Sequence, residues 1–129
     1  MLVGFDPGRD KCGIAVVTED GTVQYRAVVV AEEAIATLEH LCQQFAPTLV
    51  VMGDQTTARQ WQQTLENHLP IPVVLVDERY SSLEARERYW QLHPPRGLIQ
   101  LIPQSLRRIP GPIDDIVALI LLERWRSQP

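Results

Sequence analysis

Four acidic positions fall where runs of apolar residues end or begin: Asp6, Asp54, the pair Asp77-Glu78 and the pair Asp114-Asp115. Asp6, Asp54 and Glu78 each follow an apolar run, and Asp114-Asp115 open another, Ile116 to Leu122. A carboxylate so placed is costly unless a turn exposes it, a hydrogen bond satisfies it or a cation neutralises it. The plain alternatives are real. Asp6-Pro7-Gly8 has the composition of a tight turn, and first-turn acids such as Asp114 and Asp115 favour a helix dipole. Three or four carboxylates that converge would instead raise one another's pKa. Hard divalent cations, Mg²⁺ or Mn²⁺, relieve that repulsion through oxygen ligands and retained waters. Two such ions about 4 Å apart activate a water and stabilise the leaving oxygen of a phosphodiester.

A second feature is basic. Between Arg79 and Arg108 there are six arginines (79, 86, 88, 96, 107, 108) against Glu84 and Glu87, a local balance of +4. The whole chain carries −4, so the remainder carries −8. Eleven of the 12 basic residues are arginine, whose planar fork suits phosphate. The strip is either a phosphate-facing surface that includes Arg107 and Arg108, or a set of solvated helix charges. His40, His68 and His93 lie in separate segments without ligand spacing, which argues against zinc. Cys12 and Cys42, with no Cys-x-x-Cys, are expected to be reduced thiols of a cytoplasmic protein. No signal peptide is expected before the first strand, and a longest apolar run of seven residues does not span a membrane.

The elements must bring these groups together. The 129 residues predict one domain, 1–129, that buries about two-thirds of its unfolded surface. Alternation puts Leu2, Gly4 and Asp6 on one face of a first strand and Val3 and Phe5 on the other. Strands over 12–18 and 23–30 follow across short turns, giving an antiparallel meander. A helix over 32–45 presents Ile35, Leu38, Leu41, Cys42 and Phe45. TLVVMG (48–53) and IPVVLV (71–76) are continuously apolar, as buried parallel strands are. Thr57-Ala-Arg-Gln60 and Ser81-Ser-Leu-Glu84 have the form of capping boxes opening two further helices. The proline-rich stretch 93–112 is mostly irregular, with one short helix near 98–106. A last helix starts at Pro112 in the favoured first-turn position. The order βββαβαβα predicts an α/β fold, a mixed five-stranded sheet flanked by helices, with ligands outside the carboxyl ends of its strands.

GFDPGRDKCGIAVV at the start of the chain resembles the first two strands of the RuvC-like and YqgF-type (RuvX) Holliday-junction resolvases, a branch of the RNase H-like superfamily. The Asp-x-Gly pattern is kept at Asp6 and Gly8. VDERYSSLEAR (76–86) resembles the family's Asp-Glu-Arg-x-Ser/Thr-Thr signature, and PIDDIVALILLERW (112–125) resembles its closing helix. Three motifs in order span nearly the whole chain. The resemblance implies catalytic and metal-holding roles for Asp6, Glu78 and Asp114, and a phosphate or charge-balancing role for Arg79. Asp115 falls where the family varies. The chain departs from the pattern after Gly53, where the family has Gly-Leu-Pro and a longer loop; here Asp54-Gln-Thr-Thr57 follows at once. Asp54 is then an extra ligand or a turn residue.

The resemblance implies a Mg²⁺- or Mn²⁺-dependent endonuclease for branched DNA or precursor small-subunit rRNA, acting as monomer or homodimer. Asp6 would be the ion's ligand, with Gly8 turning the backbone so that a scissile phosphate comes close. A reading from another class is an RNase H-like binding module for ribosome assembly with weak catalysis. An actin-like phosphotransferase shares the Asp-x-Gly strand but needs two lobes, for which 129 residues are too few.

Overall fold

The computed structural model describes residues 1–55 and 57–128. Five strands and four α-helices form it: β1 (Leu2–Asp6), β2 (Lys11–Val17), β3 (Val23–Val30), α1 (Ala34–Phe45), β4 (Leu49–Gly53), α2 (Ala58–His68), β5 (Val73–Val76), α3 (Ser81–Leu92) and α4 (Asp114–Arg126). The sheet order is β3-β2-β1-β4-β5. β1 pairs antiparallel with β2 and parallel with β4, β2 pairs antiparallel with β3, and β4 pairs parallel with β5. The meander followed by two crossovers is the expected α/β arrangement.

Alternation along β1 sorts the core into two layers. Val3 and Phe5 join Leu38 and Leu41 of α1 and Ala58 and Leu65 of α2 on one face. Phe5 meets the edge of Trp61 at 5.3 Å between ring centroids. On the other face Leu2, Ala15 and Val51 pack against Ala85 of α3 and residues Ile116–Leu122 of α4. All seven of those α4 residues are buried, because the sheet covers one side of α4 and α3 another. Gly4 makes this close approach feasible. A Cβ there would come within 2.5 Å of the Ala118 carbonyl oxygen.

Several local expectations give way at helix ends. The helix expected from 32 starts as a 3-10 turn, Ala31–Glu33, and becomes α-helical at Ala34. Neither capping box forms. Thr57 has φ −91° and ψ 5° rather than the extended backbone an N-cap side chain needs. At α3 the N-cap is Tyr80, left-handed at φ 63°, so Ser81 is already helical. Pro112 lies before the N-cap Ile113, outside the first turn. The short helix near 98–106 is two 3-10 turns, Gly97–Leu101 and Gln104–Leu106, with Pro103 between them. No helix among the described residues is long and apolar enough to cross a membrane. Cys12 and Cys42 are both free.

Candidate active site

Three strand or helix ends meet at one edge of the sheet. Asp6 ends β1 and pairs across the ladder with Gly13 of β2. A Cβ at Gly13 would collide with the main-chain carbonyl of Asp114, so α4 begins directly on the β1–β2 pair. On the other side, the Phe5–Met52 pairing leads into Gly53, the last residue of β4. A Cβ at Gly53 would come within 2.5 Å of Glu78 Oε2. The Glu78 side chain, two residues past β5, therefore lies over the end of β4. Two glycines make room for two of the three acids.

The electrostatics follow from this crowding. Asp6 is pushed up to about 7, by burial first and then by the charges of Asp114 and Glu78. Glu78 is raised by burial and by Asp54, while Gln55 and Arg124 pull it back. Asp114 is raised by burial and by Asp115, and held down by its own backbone N–H and by Lys11. Glu78 Oε1 is buried without a hydrogen-bond partner. An orphaned carboxylate oxygen near the like charge of Asp54 suits a hard divalent cation. Among the described residues, however, no three His, Cys, Asp or Glu side chains stand close enough to hold one ion. Asp6, Glu78 and Asp114 share a field rather than a point.

Other expected residues are placed less centrally. Gly8 is exposed, and a Cβ there would strike the carbonyl of Lys11, so its role is to close the turn between β1 and β2. Arg79 turns onto Asp77, with Nη2 at 3.0 Å from Oδ2, rather than balancing Glu78; its side chain is 81% exposed. Asp54 is exposed, and its charge reaches Glu78; of the Asp54–Thr57 connection, Thr56 lies outside the described residues. Arg108 is exposed, whereas Arg107 folds back, its guanidinium 5.5 Å from the Trp90 ring centroid. Asp115 does more than face the helix dipole: its Oδ2 is 3.0 Å from Arg26 Nε on β3.

Sequence reasoning missed the groups around the acids. Arg124 donates from Nη1 to the Asp77 carbonyl at 2.8 Å and pairs through Nη2 with Glu84 at 2.6 Å. Gln55, Lys11 and Arg26 were missed too, since each acts on an acid distant in sequence or across a turn. Gly13 and Gly53 carried the one available signal, glycines at the ends of apolar strands where a backbone or side chain must come close. Gly13→Ala should cost about 2–3 kcal/mol in urea unfolding, the overpacking range. An unchanged midpoint and slope would mean α4 is not seated on Gly13.

The family comparison decides the assignment. The model of the family described as "RuvX: Holliday junction resolvase" matches residues 1–128. The chain belongs to the RuvX family. The curated relatives include a protein of Xanthomonas campestris pv. campestris (strain B100), 28% identical over 143 aligned positions, covering 99% of this chain and 88% of that protein. Its name is "Putative pre-16S rRNA nuclease", as is that of a Xylella fastidiosa (strain M12) protein, 28% identical over 144 positions, covering 100% of this chain and 88% of that protein. Among solved structures, T. thermophilus RuvC in complex with a Holliday junction substrate superposes with a TM-score of 0.61 at 18% identity, covering 93% of this chain and 89% of that chain. A second Thermus thermophilus RuvC structure gives 0.55 at 15% identity, with 93% and 88% covered. The fold is thus RuvC-like, and membership places the chain in a nuclease family. The three RuvX-like motifs stand at the sheet edge described above: Asp6-Pro7-Gly8, Glu78-Arg79 and Asp114.

Proposed function

We propose that the chain is a divalent-metal-dependent endonuclease acting on structured nucleic acid, either junction-like DNA or a precursor of small-subunit rRNA. The observation that carries this reading is the crowding at Asp6, a half-buried carboxylate lifted to about 7 by burial and by the charges of Asp114 and Glu78. Asp6, Glu78 and Asp114 would hold the metal. When bound, Mg²⁺ or Mn²⁺ supplies a polarised water and stabilises charge on a leaving oxygen. The chain's own groups do the rest. Half-burial weakens the screening of the acids by water, and in the metal-free state Asp6 holds a proton on its carboxyl below about pH 7. Gly8, exposed two residues after Asp6, leaves the backbone bare where a phosphate would approach. Arg108, exposed on the segment leading into α4, would meet phosphates.

The test is cleavage of branched DNA and of precursor rRNA by the wild-type protein, in Mn²⁺ and in EDTA. Cutting of one substrate in Mn²⁺ alone is expected. Binding of both without cutting of either would overturn the nuclease reading. It would favour the binding-module reading, which the separation of the three carboxylates also supports.

The basic strip gives a second expected result. Log affinity plotted against log salt between 50 and 200 mM should be steep, and Arg107→Ala with Arg108→Ala should shallow it by about one to two units. Arg108 should supply more of this, since Arg107 is engaged with Trp90. A slope equal to wild type would assign both arginines to solvated surface.

A further inference from the structure

The segment between α3 and α4 exposes apolar side chains that the rest of the molecule buries. Leu98, Leu101 and Leu106 are 81%, 80% and 73% exposed, with Ile99 and Ile102 partly so. Five large apolar residues within nine positions stay outside both core layers. Covering apolar surface of this size is favourable, so something other than this chain's own core is suited to cover them.

The charge around them says what. From Leu92 to Ile113 the sequence contains three arginines, Arg96, Arg107 and Arg108, and no aspartate or glutamate. A second copy docked through the same surface would meet its own charge, whereas a polyanion is complementary to it. The segment is also held rather than loose. Arg107 packs on Trp90 and donates from Nε to the Ile102 carbonyl at 2.9 Å, and Gln100 Nε2 donates to the Pro95 carbonyl at 3.1 Å. Its last residues lead directly into Asp114, and the helix that anchors it, α3, starts three residues after Glu78. The exposed leucines are thus carried by a strap that runs from the far end of α3 back to Asp114 at the candidate site.

We infer that this strap is an apolar wedge for the nucleic-acid substrate: Leu98, Leu101 and Leu106 press against unpaired or unstacked bases while Arg96 and Arg108 meet phosphates. The inference rests on the nucleic-acid reading above. Apolar side chains inserted at base steps must offset unstacking, a cost that is lowest where stacking is already interrupted. The wedge therefore selects branched or looped substrate over continuous duplex.

The test replaces the three leucines together, Leu98→Ser, Leu101→Ser and Leu106→Ser. All are exposed, so the melting temperature should be retained. Anisotropy is read on a four-way junction, a stem-loop RNA and an uninterrupted duplex, with 2-aminopurine placed beside the branch point. The wedge predicts about a tenfold or greater loss of affinity for the junction or the stem-loop. It also predicts loss of the 2-aminopurine brightening, with duplex affinity and salt slope unchanged. Equal affinity for all substrates before and after substitution overturns it. So does a variant that loses only self-association, or only binding to phosphatidylserine vesicles, since those assign the strap to a second copy or to a lipid surface. Failure of the wild type to bind any of the three nucleic acids overturns the nucleic-acid reading itself, and is seen before the variant is compared.

Discussion

Asp6→Asn should make the metal-free protein more stable at pH 8 and leave its stability at pH 4 nearly unchanged. Folded Asp6 titrates at about 7, against 3.8 for the solvated carboxylate of an unfolded chain. Between those two values the folded state binds more protons than the unfolded state, so stability falls as pH rises through the window and levels off above it. The difference corresponds to about 4 kcal/mol at most. Glu78 and Asp114, raised in the same direction, add to the decline. Asparagine keeps the shape and removes the charge, so the variant's unfolding free energy should run flatter from pH 4 to pH 8. Urea titrations in EDTA at pH 4, 6 and 8 measure this. Parallel curves for wild type and variant would show that Asp6 is not buried among like charges. The same substitution should abolish cleavage, a gain of stability bought with loss of function.

Asp114 and Asp115 should separate just as sharply, though not for the reason that helix geometry alone supplies. Successive helix residues point about 100° apart, and of these two neighbours it is Asp114 whose charge raises Asp6. Asp114→Asn should therefore eliminate metal-dependent cleavage while holding or raising stability without metal. Asp115 has a structural partner in Arg26, at 3.0 Å and with both side chains largely covered. Asp115→Asn should keep most activity and cost about 1–2 kcal/mol, between the ranges for exposed and buried pairs. That exceeds the effect of a helix dipole alone. Arg26→Gln should cost a similar amount. Single-turnover cleavage in Mn²⁺, with thermal melts of each variant, checks both halves. A dead Asp115→Asn beside a normal Asp114→Asn would shift the register of α4's first turn by one residue.

The strands and the positions of the acids were readable because they depend on period. Val3 and Phe5 against Leu2, Gly4 and Asp6 is a two-residue alternation, and the apolar block Ile116–Leu122 could only be a covered helix. The ends of elements were harder. Thr57 and Ser81 carry the right capping residues, but backbone angles at Thr57 and Tyr80 are set by how the strand before each helix leaves the sheet. The resemblance offered Arg79 for phosphate or for balancing Glu78, yet its partner in the folded turn is Asp77. Arg26 with Asp115 and Arg124 with Glu84 join residues far apart in the chain, and no spacing rule anticipates such pairs. Gly53 beneath Glu78 is the same kind of contact, created only when β4 and β5 align.

The central claim is that Asp6, Glu78 and Asp114, which share one field, together take up divalent metal. Calorimetric titration of Mn²⁺ into EDTA-stripped wild type, Asp6→Asn, Glu78→Gln and Asp114→Asn at pH 8 tests it most directly. Wild type should bind with a defined stoichiometry, and a hundredfold excess over Kd should stabilise the fold by about 2.7 kcal/mol. Each variant should weaken binding at least about tenfold, the loss of a single charged ligand being worth about 1.4 kcal/mol or more. Wild-type protein that takes up no Mn²⁺, or three variants that bind it as wild type does, would contradict the account.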